Sequence, residues 1–244
     1  MLIVNDRIVI AHMKKCGGAS VCKGMIESLP PDTIDYWGYT AAGEEKSALS
    51  RRRGKVWKHS PVADILNKLP RSRDTSEIHL VSVRPWWDRV GSYYYHAKRY
   101  NGLDAKKYPR VTGMSLSDFI RSEYMDDVER LDQFCSDAEG RLLVDHFVDY
   151  DRIDDWYSTI MARLGVANAK LPTYNQGRKK FADGYESLFD AADLAYLRQE
   201  FAGEEALRAR LHPAPWRIRR SSARPAAPSP RRSAGPPAAP PPPG

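Results

Sequence analysis

The 244-residue chain lacks any apolar run near the roughly 18 residues that a membrane-spanning helix needs. Its first stretch, Met1-Leu-Ile-Val-Asn-Asp6-Arg7, meets an acid before it can act as the apolar part of a secretory signal. Cysteine is scarce as well. Cys16, Cys22 and Cys135 form neither a CxxC pair nor a metal-ligand spacing, which excludes a disulfide framework and speaks for a reducing compartment. A cytoplasmic protein without a transmembrane segment is expected, and no internal repeat stands out.

The folded part also lacks a charge excess. Of the net charge of +7, six positive charges are arginines in Pro213–Gly244, where no acid occurs, so Met1–His212 carries only +1. A domain that binds a polyanion shows its excess on the folded surface, so no nucleic-acid binding is expected of the core. The tail has eleven prolines and almost no apolar anchor beyond Trp216 and Ile218, a composition that cannot offset ordering entropy by burial. With 42% hydrophobic residues, the chain is long enough for one sizeable core. The expected organisation is an α/β domain over 1–212 and a disordered Pro/Ala/Arg-rich tail over 213–244.

Two stretches carry chemistry. In Arg7-Ile-Val-Ile-Ala-His12-Met-Lys14-Lys15-Cys16-Gly17-Gly18-Ala19-Ser20, Ile8–Ile10 reads as a buried strand. A glycine-bearing corner follows, and Val21, Met25 and Leu29 then take helical spacing. A helix N-terminus collects unpaired N–H groups, glycine admits an anion to the main chain, and Lys15 adds a cation. An ordinary strand-to-helix turn with a surface lysine is the plainer account of this stretch taken alone. The second stretch, Ile78-His-Leu-Val-Ser-Val83-Arg84-Pro85-Trp86-Trp87-Asp88-Arg89-Val-Gly91-Ser92-Tyr-Tyr-Tyr95, is again a strand, now ending in arginine, with Pro85 opening a helix. Ser92 lies two helical turns after Arg84. Two anion sites at the carboxyl ends of two strands describe a ligand with two separate phosphates.

These residues resemble a known family. His12-Met-Lys-Lys15-Cys-Gly17-Gly18-Ala-Ser20 is similar to the 5′-phosphosulfate loop of sulfotransferases, and Arg84-Pro-Trp-Trp-Asp-Arg89-Val-Gly-Ser92-Tyr-Tyr94 is similar to their 3′-phosphate motif. Lys58-His59-Ser60, Asp145–Asp151 and Pro172–Asn175 fall where the carbohydrate-type branch has recurring blocks. The resemblance covers roughly Ile8–Leu211 and is to a soluble, bacterial-type member. Departures are plain: Lys14 replaces a proline, Cys16 and Ala19 replace threonines, and Asp149 stands where arginine is frequent.

The resemblance implies a P-loop-like three-layer α/β fold with a central, mostly parallel sheet. It implies a sulfotransferase that moves a sulfuryl group from 3′-phosphoadenosine-5′-phosphosulfate (PAPS) to a hydroxyl of a carbohydrate or glycolipid acceptor, leaving 3′,5′-adenosine bisphosphate (PAP). Lys15, Cys16, Gly17, Gly18, Ala19 and Ser20 would hold the 5′-phosphate, and Arg84 and Ser92 the 3′-phosphate. Arg178, in the basic run Arg178-Lys-Lys180, would add a flap contact. His59, on a loop entering a helix at Ser60-Pro61, resembles the general base, with Glu44 and Glu45 as reserves, although a lone histidine is more often structural. Lys15 supplies the cation, so no metal is required.

Other readings stay open. A P-loop kinase needs its lysine after the glycines, and here Lys15 precedes them. An inactive nucleotide-binding or scaffold protein fits the missing threonines. A nucleic-acid contact would rest on the tail. The polar stretch Ala41–Lys55, with Arg51-Arg52-Arg53, reads as a solvated loop or as an acceptor-contacting lid. Cys16 reads as a packing residue, or as a reactive thiol if it faces the cations. Further expectations are strands over Ile34–Tyr39 and Leu142–Val148, helices over Val62–Leu69 and Asp151–Leu164, two amphipathic segments over Tyr185–Leu211, and a cleft lined by some of the aromatics at 86, 87, 93, 94 and 95.

Overall fold

The computed structural model describes residues 1–68, 77–100, 111–174 and 184–211. Five strands, β1 (Leu2–Val4), β2 (Ile8–Ala11), β3 (Ile34–Tyr36), β4 (Glu77–Val83) and β5 (His146–Asp149), form one sheet in the order β3-β1-β2-β4-β5. β2, β4 and β5 run parallel, whereas β1 pairs antiparallel with both β2 and β3. The sheet is therefore mixed, and the expectation of a mostly parallel sheet is corrected.

The cause lies in the first eight residues. Asn5 and Asp6 both take positive φ, 49° and 56°, and the Arg7 amide donates to the Val4 carbonyl oxygen at 3.0 Å. Asn and Asp tolerate that left-handed geometry better than most residues, so the chain turns back at once and Leu2–Val4 becomes a strand of its own. β3 then adds to the far side of β1.

The helices are α1 (Gly18–Ser28), α2 (Ala41–Arg52), α3 (Val62–Lys68), α4 (Trp86–Tyr100), α5 (Leu116–Ile120), α6 (Leu131–Cys135), α7 (Ile153–Arg163), α8 (Ala191–Glu200) and α9 (Ala202–Leu211). Successive strand residues point to opposite faces, and the packing follows that period of two. Ile3, Val9, Ala11, Ile78 and Leu80 pack on one face with Val62 and Ile65 of α3, Leu131 and Phe134 of α6, and Leu207 of α9. Leu2, Val4, Ile8, Ile10 and Val81 pack on the other with Val21 and Met25 of α1 and Tyr157 and Ile160 of α7. A third apolar cluster joins α4, α5 and α8 through Trp86, Val90, Phe119, Leu197 and Phe201.

The stretch expected as a loop over Ala41–Lys55 is mostly helix. Thr40 accepts the Gly43 amide at 3.0 Å, Glu44 sits in the first turn, and Arg51 and Arg52 sit in the last. Cap and end charges suit the helix at both ends, although Gly43 and Ser47 are its only buried residues. The strand expected over Leu142–Val148 is confined to its last part, with Leu142 bridging instead to Ser136. Ser60 accepts the Trp57 amide at 2.8 Å, and α3 begins beyond Pro61. The tail from Pro213 and the segment Asn175–Lys180 lie outside the described residues. No helix among the described residues is long and apolar enough to cross a membrane.

Candidate functional site

Residues 12–17 link the end of β2 to the start of α1. The loop bends through two left-handed residues, Lys15 at φ 64° and Gly17 at φ 76°. Gly17 is the N-cap of α1 and offers no side chain; the Ser20 amide donates to the Gly17 carbonyl oxygen at 3.0 Å, while no side chain caps the amides before it. A β-carbon on Gly18 would lie 2.1 Å from Cγ of His12, whose buried ring fills the space beneath the turn. Gly18→Ala is expected to destabilise the chain by about 1–3 kcal/mol through this overpacking. A urea unfolding midpoint unchanged from the parent would contradict the packing.

The cations converge on this loop. Arg84, just beyond the carboxyl end of β4, donates from Nη1 to the Lys15 carbonyl oxygen at 3.1 Å. Burial, then the nearby Arg84 and Arg99 guanidinium groups, push the Lys15 ammonium down to about 8. Among the described residues no carboxylate pairs with Lys15. Arg84 Nε lies 3.4 Å from Asp88 Oδ2 but is buried without a hydrogen-bond partner, so the guanidinium keeps unused donor capacity. The rings of Tyr150 and Tyr185 flank it at 4.8 and 5.6 Å.

Tyr150 follows β5 directly and is exposed, and its ring edge would stand 3.3 Å from a β-carbon on Gly17. The carboxyl ends of all three parallel strands thus meet at one place: Lys15 after β2, Arg84 after β4 and Tyr150 after β5. Open α/β sheets take ligands at such ends. Ser82 donates to the Cys16 carbonyl oxygen at 2.6 Å and pins the loop from below. Burial pushes the Cys16 thiol up to about 12, so it packs as a thiol and the reactive alternative falls away.

Lys14 turns the other way. Its Nζ donates to the Asp127 carbonyl oxygen at 2.9 Å and to Oδ1 at 3.2 Å, and its amide donates to Glu129 Oε2 at 2.5 Å. Tyr93 adds a hydroxyl bond to Asp127 Oδ2 at 2.9 Å. Burial raises Glu129 to about 7 against the opposing pull of Lys14 and Arg89. The folded chain therefore keeps a proton on Glu129 across the interval from the ordinary carboxylate range to about 7, where the unfolded chain has already lost it. Stability from this group falls as pH rises through that interval. Glu129→Gln should gain in Tm relative to the parent between about pH 5 and about pH 8; a pH-independent difference would contradict the shift.

The remaining expected residues divide. His59 is brought to the loop: its Nδ1 stands 3.4 Å from the His12 carbonyl oxygen, and its ring packs edge-on against His12 at 4.7 Å and Trp57 at 5.3 Å. Burial first, and then the neighbouring His12, hold its imidazole well below the usual histidine value, so it is neutral near pH 7. Arg51, at the end of α2, lies over the Trp57 ring at 4.1 Å. Ser20 is drawn into another contact, donating to the Tyr174 carbonyl oxygen and accepting from its amide, each at 3.2 Å. Ala19 is half-buried on the first turn of α1, and Ser92 is half-buried on α4, beside Gly91, whose α-carbon the Tyr185 ring covers. Arg178 lies outside the described residues.

Glu44 is committed to Lys58 at 2.7 Å and to the Tyr39 amide at 3.1 Å, while Glu45 is exposed on α2. The expected aromatic cleft is mostly core, since Trp86, Tyr93 and Tyr94 are buried. The exposed ring beside the cations is Tyr150 instead. It follows β5 directly, but nothing in the sequence near it shows that it lies beside Gly17. No known protein family, curated protein or solved structure matches the chain.

Proposed function

We propose that the chain is a PAPS-dependent sulfotransferase with a P-loop-like phosphate site, acting on a hydroxyl of a carbohydrate or glycolipid. The observation that carries the reading is the junction of Lys15 and Arg84: a partly buried ammonium without an acid partner among the described residues, tied through its own carbonyl to a guanidinium with an unused donor. Asp88 answers Arg84 alone, so the ammonium is left to be matched by an anion, and the start of α1 adds its amides to the same place.

In this reading Lys15 and the amides of Gly17, Gly18 and Ala19 neutralise the 5′-phosphate as it leaves, whereas the expected Ser20 amide is taken by the Gly17 carbonyl oxygen at 3.0 Å. Arg84 holds the 3′-phosphate, with Ser92 further along α4, and Tyr150 offers a ring face to the adenine. Sulfuryl transfer asks of the protein in-line positioning and cancellation of charge on the leaving group. The acceptor oxygen forms the new bond to sulfur, the bond from sulfur to the 5′-phosphate oxygen breaks, and the acceptor proton passes to His59. If Nδ1 of His59 donates to the His12 carbonyl oxygen, Nε2 presents the lone pair. Trp57 borders His59, Arg51 lies over Trp57, and in this reading the two form the acceptor side.

A second reading, a nucleotide-binding scaffold without transfer, is favoured by the engagement of Ser20 with Tyr174. Incubation of the full chain with labelled PAPS and a panel of glycans and glycolipids separates the two. Label in an acceptor supports the enzyme, and PAP binding with no transfer to any acceptor supports the scaffold.

A further inference from the structure

At the opposite end of β4 from Arg84 lies a cluster that the phosphate chemistry does not use. Glu77 and His79 are two residues apart on β4 and so point to one face, and His146 is the register partner of His79 on β5. The two imidazoles stack at 4.4 Å with their planes 22° apart. His79 Nε2 is 2.9 Å and His146 Nε2 3.1 Å from the same Glu77 oxygen, Oε1. One donor atom from each residue lies within 4.8 Å of the other two.

We propose that Glu77, His79 and His146 bind a single divalent transition-metal ion of the zinc class, and that Trp156 must release His79 for the ion to enter. Two imidazole nitrogens and a carboxylate oxygen are a donor set of that class, and three protein ligands leave a fourth position open. The ligands sit on paired strands, which fix their separation better than loops would. Entry is through His146, whose side chain is 52% exposed, while His79 closes the inner side at 5%.

The second layer of contacts is present on the carboxylate. Arg163 of α7 donates to Glu77 Oε1 at 2.8 Å and to Oε2 at 2.5 Å, which orients the group.

Trp156 sets the condition on entry. Its indole N–H donates to His79 Nδ1 at 3.2 Å. An indole nitrogen only donates, so Nδ1 accepts and the ring proton resides on Nε2, which gives it to Glu77. A metal bonded to Nε2 takes that lone pair, and the proton moves to Nδ1. There it faces the indole N–H, donor against donor, so the Trp156 bond breaks when the metal bond forms. Removing the indole donor removes the competition. Glu77 is seven residues before Arg84, about 23 Å along an extended strand, so the site is separate from the anion pocket and serves to tie β4 to β5.

The test is calorimetric titration of the full chain with zinc chloride after chelator treatment, with cobalt(II) absorption as a second readout. Binding of one ion, reduced at least about tenfold by His146→Ala and by Glu77→Gln, supports the site. Trp156→Phe should tighten binding by about two- to tenfold, the worth of one hydrogen bond. Magnesium, which takes oxygen ligands, should not compete. No zinc binding, or binding that persists in both His146→Ala and Glu77→Gln, overturns the site; unchanged or weaker binding in Trp156→Phe overturns the role given to Trp156.

Discussion

Lys15→Ala is expected to lower sulfuryl transfer from PAPS by roughly 10²-fold or more, the scale on which removal of one preorganised donor to a developing oxyanion is felt. Under the proposed function the ammonium meets the charge that builds on the leaving 5′-phosphate, and at about 8 it is still mostly protonated at neutral pH. The same substitution should leave stability unchanged or slightly improved. No carboxylate among the described residues pairs with Lys15, and its positive φ of 64° is the one local cost that alanine inherits. Activity and stability are thus expected to part company, which loss of fold cannot mimic. Near-normal kcat with labelled donor would remove Lys15 from the chemistry.

Glu204→Ala should give the largest loss of stability, about 3–5 kcal/mol, because it leaves a buried arginine unpaired. Arg89 of α4 and Glu204 of α9 are 2% and 0% exposed and form a charged pair through Nη2 and Oε2. Glu204 also accepts the Leu131 amide at 3.1 Å, and Arg89 Nη1 reaches the Glu129 carbonyl oxygen. Arg89 falls within the stretch that resembles a 3′-phosphate motif, yet it faces inward and links α4, α9 and the segment that holds Lys14. Denaturant unfolding measures the loss. The double substitution Arg89→Met with Glu204→Leu should recover part of it, since it strands no charge at position 89, while Arg208, 3.7 Å from Glu204 Oε1, still loses that contact. A Glu204→Ala loss below about 1 kcal/mol would mean that Arg89 finds another acid.

What could be read in the sequence followed the strong local signals. Ile8–Ile10 before a Gly-Gly corner, and Ile78–Val83 before Arg84-Pro85, announce strands that end in polar loops, and β2, β4 and the helices after them lie there. Lys15 and Arg84 meet because each lies beyond the carboxyl end of such a strand, and His59 reaches the same loop from the turn before α3.

The antiparallel half of the sheet was harder to read, because three apolar residues at Leu2–Val4 are too few to show a period and the turn depends on left-handed Asn5 and Asp6 rather than on glycine. α2 hides for a different reason. It buries little, so it has no apolar stripe, and its cap and end charges are the only local signs. Contacts made across long separations left no local trace at all: Tyr150 beside Gly17, Glu129 on the Lys14 amide, and His146 opposite His79 arise from the register and packing of the finished fold.

The most direct measurement of the central claim is calorimetric titration of the full chain with PAP, which carries both phosphates on one adenosine. One molecule bound per chain, with binding weakened in Lys15→Ala and again in Arg84→Ala, is the predicted result. No binding, or binding indifferent to both substitutions, would contradict the claim that the ends of β2 and β4 hold the two phosphates of a single nucleotide.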